Sequence, residues 1–111
     1  MKEVKKNADP GELGMILVHR GIVRAISKHG RPVRGMRLSC NKEELEEAVE
    51  EHKKRDGIED IRVWINSGDL HVGDKIMHVL VAGRFRTDVL PVFESLLSII
   101  KNKIVTEQEV A

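Results

Sequence analysis

Aromatic residues are scarce in this chain of 111 residues: Trp64, Phe85 and Phe93 are the only three, and tyrosine is absent. That scarcity argues against the stacked-base platforms that hold single-stranded nucleic acid. The one cysteine, Cys40, cannot form an internal disulfide, which fits a reducing compartment. The five histidines show no HxH or HxxxH spacing, so no metal site and no cofactor are expected. No apolar run approaches the ~20 residues a membrane helix requires, and the charged start from Met1 to Asp9 does not fit a signal peptide. The expectation is a cytoplasmic protein without a membrane or nucleic-acid partner. Charge of one sign is also missing: the formal net charge is +1. Any anion site must therefore be local, not the product of a global field.

What is present describes a single domain over residues 1–111, with 41% hydrophobic and 33% charged residues and no repeat or linker. Residues 1–12 read as a loose leader and 104–111 as a tail without assigned order. Gly14 to Arg24 is an extended apolar stretch closing on Gly21-Ile22-Val23-Arg24. Ser27 to Pro32 is turn chemistry, predicting a hairpin into Val33–Cys40, where Met36, Leu38 and Cys40 share a face. Asn41 is a helix N-cap, with Glu44 completing a capping-box pattern. Leu45, Ala48, Val49 and His52 form the apolar stripe of that helix, and Gly57 stops it.

Ile58 to Ile65 alternates as a strand. Two glycine-acid pairs, Gly68-Asp69 and Gly73-Asp74, then lead as turns into Lys75–Ala82, whose two apolar faces predict a central strand. A final helix is predicted to be capped by Thr87 or Asp88, with Pro91 in its first turn and a broad apolar surface that suggests oligomerisation. The order strand, strand, helix, strand, strand, helix predicts an α+β two-layer fold with two main helices and an antiparallel or mixed sheet.

Three basic residues are candidate site residues. Arg86 precedes the last helix, where backbone N–H groups already favour an anion. Arg24 ends the first strand. Lys101 lies in the last turn of the final helix, where beside apolar surface or other cations it could act as acid, base or nucleophile. Arg86 and Lys101 stand 15 positions apart, about 22 Å along a helix at its usual rise. One small substrate cannot touch both from the same chain, so a shared pocket would require two chains.

The combination Gly68-Asp69-Leu70-x-x-Gly73-Asp74, strand, Arg86, helix and Lys101, with Gly21-x-Val23-Arg24 upstream, resembles the large, catalytic subunit of molybdopterin synthase. The resemblance spans Gly14 to Lys103. It implies an α/β-hammerhead fold, a homodimer, and a partner, a small ubiquitin-like protein bearing a C-terminal thiocarboxylate. The implied reaction transfers sulfur to cyclic pyranopterin monophosphate, with Lys101 catalytic and Arg24 and Arg86 binding substrate. The chain departs from the family pattern at several points. Phe85 replaces the histidine of a His-Arg pair, and Ile65-Asn66 stands where a second such pair is usual. Ser39-Cys40-Asn41 replaces a His-Tyr-Pro-Gly-Met stretch. Val105-Thr106-Glu107-Gln108 replaces a Pro-x-Trp-Lys box, removing its lysine. Two other readings remain open: a non-catalytic relative that keeps the dimer and binds a ligand or the small partner, and an unrelated dimeric α+β module.

Overall fold

The two apolar faces of Lys75–Gly83 place this strand, β5, at the middle of a sheet. A computed structural model, which describes residues 13–27 and 30–110, shows it flanked on both sides by antiparallel neighbours, β1 (Met15–Ile22) and β3 (Ile58–Ile65), in the order β1-β5-β3. Val79, Val81 and Ala82 are fully buried. A second antiparallel sheet has the order β4-β2-β6, built from β4 (Gly68–His71), β2 (Gly35–Cys40) and β6 (Val105–Val110). Two helices, α1 (Lys42–Lys53) and α2 (Arg86–Ile99), complete the α+β architecture, and α2 runs into a π-helical turn, Ile100–Ile104.

The core forms where α2 lies on the first sheet. Val89, Val92, Leu96 and Ile100 are each at most 2% exposed and pack with Met77, Val79 and Val81. Burying side chains of this size stabilises the fold by about 1.5–3 kcal/mol apiece. Helix α1 is capped as expected, since the Asn41 side chain accepts from the Glu44 N–H. The reciprocal half of the box is not formed: the Asn41 N–H donates to the Ile104 carbonyl, tying α1 to the π-helical turn. His52 is buried. The Ala48 carbonyl can only accept, so His52 Nδ1 donates to it at 2.6 Å and Nε2 accepts from the Ser95 hydroxyl at 3.0 Å, joining α1 to α2.

Several expectations are corrected. β1 and β2 do not form a hairpin; they belong to different sheets, and the Ile26–Pro32 bridge closes the intervening segment on itself. Gly68–His71 is a strand on the edge of β2, not only a turn. Residues 105–110, to which the sequence assigns no order, pair with β2 from Val105–Cys40 to Val110–Gly35. Neither Thr87 nor Asp88 caps α2. The N-cap is Phe85, whose carbonyl accepts from the Asp88 and Val89 N–H groups, and Pro91 lies inside the helix, beyond its first turn. The Asp88 carboxylate faces Gly57 and Arg84 instead. The leader, residues 1–12, lies outside the described residues.

Candidate functional site

Strand alternation decides which side chains of β1 reach the helix side of the sheet. His19 and Gly21 pair with Val79 and Met77 of β5, so they lie on the face that α2 covers. Beyond the end of α2 this face is open, and a cleft of about 660 Å³ remains between the two sheets, within the usual range for a small-molecule site. Val23, Val33, Met36 and Met77 make its apolar floor, and His19, Arg24, Lys101, Glu107 and Glu109 supply its polar groups.

Each polar group is positioned by a local feature. The π-helical turn widens the end of α2, burying Ile100 and Ile104 while Lys101 is exposed on its outside. Such turns recur where a helix re-aims a functional side chain. Arg24 follows Val23, whose N–H and C=O bond to Asp74 and Gly73. The second glycine-acid turn therefore fixes the backbone that presents Arg24. Gly73 has φ +91°, a conformation few other residues adopt. The Asp74 carboxylate accepts from the His71 N–H at 2.8 Å and closes the same turn. On β6, Glu107 and Glu109 pair with Leu38 and Met36 and so share their inward face.

His19 sits half-buried beside Lys101. Burial, and secondarily the Lys101 ammonium, hold its pKa below the ordinary histidine value. Its Nε2 lies 3.8 Å from where a Cβ on Gly21 would stand, so that glycine leaves the imidazole room. Among the described residues no ion pair within 4 Å ties Arg24 or Lys101 to a carboxylate.

Of the three residues singled out in the sequence, two meet. Arg24 and Lys101 line one cleft of one chain. Arg86 is the first residue of α2, at the end opposite Lys101, and does not line that cleft. Phe85, 65% exposed, stands beside it. Arg84 has a structural role: it pairs with Asp56 at 3.0 Å and approaches Asp88 at 3.9 Å, clasping the start of α2 to the α1–β3 connection. Lys103 does not join Lys101, but lines a separate hollow against Glu44, Glu47 and Glu51 of α1. Among the described residues no group of three or more His, Cys, Asp or Glu side chains could hold a metal ion, and no helix is long and apolar enough to cross a membrane.

Sequence reasoning passed over His19, Glu107 and Glu109. Period-two alternation from Gly21 and Val105 would have exposed all three, once residues 105–110 were taken as a strand.

Solved structures with this fold include a molybdopterin synthase chain of Staphylococcus aureus, with 20% identity, a TM-score of 0.75, and coverage of 88% of this chain and 74% of that one. Molybdopterin cofactor biosynthesis protein E of Burkholderia multivorans is similar at 21% identity and a TM-score of 0.76, covering 98% and 79%. A chain from the complex of subunits 1 and 2 of the molybdopterin-converting factor of Helicobacter pylori matches at 18% identity and a TM-score of 0.73, covering 97% and 70%. At these identities the likeness establishes the fold, which excludes the unrelated α+β module. No curated protein sequence matches the chain. The family model described as MoaE protein matches residues 1–103; with nearly the whole chain under that match, the chain belongs to the MoaE family.

Proposed function

We propose that this chain is the catalytic subunit of a molybdopterin synthase and acts in molybdenum or tungsten cofactor biosynthesis. It would transfer sulfur from the C-terminal thiocarboxylate of a small ubiquitin-like partner to cyclic pyranopterin monophosphate. The observation that carries this reading is the meeting of Arg24 and Lys101 at one cleft in a chain of the MoaE family. Arg24 offers a planar, always-charged fork suited to a phosphate. Lys101, at the mouth, suits the anionic thiocarboxylate and the charge that develops as sulfur attacks the precursor. The complex of two subunits among the similar structures supports a small-subunit partner.

In this reading the protein is a homodimer. Arg86 cannot reach the cleft of its own chain along α2, so it serves the cleft of the second copy, and the exposed Phe85 beside it forms part of that contact. The experiment is reconstitution from purified protein, thiocarboxylated partner and precursor. Molybdopterin forms with the unaltered chain and with Lys53→Ala, and is lost with Lys101→Ala. No product from the unaltered chain refutes the reading.

One observation favours a second reading. Glu107 and Glu109 face the cleft and oppose the field of Arg24 and Lys101, as expected of a relative that binds the partner without turnover. Partner binding with no product in the same assay selects it.

A further inference from the structure

Three features are not used by the proposed reaction: the apolar groove between α1 and β3, the Arg20–His78–Trp64 row on the outer face of the first sheet, and the imidazole of His19. Nothing indicates what would cover the groove. The row has one buried ring nitrogen without a hydrogen bond, His78 Nε2, but the tilted stack of His78 on Trp64, with centroids 5.1 Å apart, accounts for its placement. His19 carries an argument, which rests on the anion-binding reading of the cleft.

The charged groups that line the cleft with His19 come from three elements: Arg24 beyond β1, Lys101 on the π-helical turn, and Glu107 and Glu109 on β6; of these, Lys101 acts on the imidazole directly. The residues contributed by β2 and β5 are apolar: Met36, Ile76 and Met77. An imidazole so placed is the one group of the cleft whose charge can change near neutral pH. With the cleft empty, its own burial and then the Lys101 ammonium disfavour the imidazolium. An anion seated between Arg24 and Lys101 reverses the second effect, because it offsets the ammonium's field and offers the ring N–H a charged acceptor.

We infer that His19 is a third anion-binding residue of this cleft, taking up one proton from solvent as a dianionic group docks between Arg24 and Lys101. The proton adds to the free ring nitrogen and no other bond changes. The consequence is a binding site that tightens as pH falls, by up to about tenfold per pH unit between the pKa of His19 in the empty and the occupied cleft. Phosphate monoesters, dianionic near neutral pH, belong to the class of ligand this would favour over monoanions such as the cyclic diester of the proposed substrate.

Inorganic sulfate tests this, since it remains a dianion throughout and contributes no titration of its own. The full chain, labelled in its histidine, arginine and lysine side chains, is titrated by NMR with and without sulfate at constant ionic strength. Sulfate raises the pKa of His19 and leaves the ring resonances of the exposed His71 in place at fixed pH. Sulfate affinity rises several-fold from about pH 8 to about pH 6 in the unaltered chain and stays flat in His19→Gln. Should sulfate shift the Arg24 and Lys101 signals while the His19 titration stays put, this inference is overturned and the anion cleft stands. Should sulfate perturb none of the three, both fall. The titration of the unaltered chain decides the matter even if His19→Gln does not fold.

Discussion

The contact between α1 and α2 includes a polar bridge whose strength can be worked out. His52 is 2% exposed and bonds to Ala48 at 2.6 Å and Ser95 at 3.0 Å. His52→Leu keeps an apolar stripe residue of similar bulk but removes both bonds, each contributing about 1 kcal/mol net. It also leaves the Ser95 hydroxyl without its partner, a loss of about 1–3 kcal/mol when such a group is sealed from water. Ser95 is only half-buried, so water recovers part of that term, and the expected destabilisation is about 2–3 kcal/mol of the ~5–15 kcal/mol typical of a domain. Ser95→Ala should cost about 1 kcal/mol. The double variant removes both ends of the Ser95 bond, so it should be less destabilised than the sum by about 1 kcal/mol. Urea denaturation, with the slopes unchanged, measures all three. Strict additivity within about 0.3 kcal/mol would refute the bridge.

Three further outcomes follow from other parts of the fold. Gly83→Ala would place a Cβ against the Gly57 carbonyl and 2.7 Å from Val89 Cγ2; because the obstacle is backbone, thermal unfolding should show a loss of about 3 kcal/mol or more, or no folded protein. Glu107→Gln with Glu109→Gln removes two negative charges from the cleft, so sulfate should bind several-fold tighter at low salt, with the gain shrinking as salt is raised; no change in affinity would mean that these carboxylates do not face the bound anion. Burial first, then Arg20 and Lys75, lowers the pKa of His78, and burial with Lys101 lowers that of His19. The unfolded chain therefore binds protons that the native state refuses, and stability falls as pH drops from the ordinary histidine value to the depressed ones, then levels. Urea midpoints across that range should show this slope, reduced in His78→Phe.

Elements whose signal is local were legible in the sequence. Asn41 caps its helix, β3 runs from Ile58 to Ile65 as read, and the doubly apolar β5 is central. Elements defined by distant partners were not. Gly68–His71 looks like a turn because it opens on a glycine-acid pair, and only β2, 30 to 36 residues earlier in the paired register, makes it a strand. The polar sequence of Val105–Val110 gives no hint of β6 until β2 supplies an edge. The predicted hairpin failed for the same reason: turn chemistry at Ser27–Pro32 closes the loop locally, whereas strand pairing sends its two arms to different sheets. The candidate site divides likewise. Arg24, Arg86 and Lys101 could be named from motifs, but that Arg24 and Lys101 meet while Arg86 stands apart depends on how the two sheets close around the π-helical turn.

Mixing variants tests that division most directly. In the proposed homodimer, Arg24→Ala, Arg86→Ala and Lys101→Ala chains should each be inactive in the reconstituted assay; pairs are then dissociated, mixed equally and reassembled. Arg86→Ala with Lys101→Ala should recover about a quarter of normal molybdopterin formation, because half of the randomly reassembled dimers hold one intact cleft of two. Arg24→Ala with Lys101→Ala should recover none, since both residues belong to the cleft of a single chain. Recovery in the second pair, or none in the first, would contradict the account.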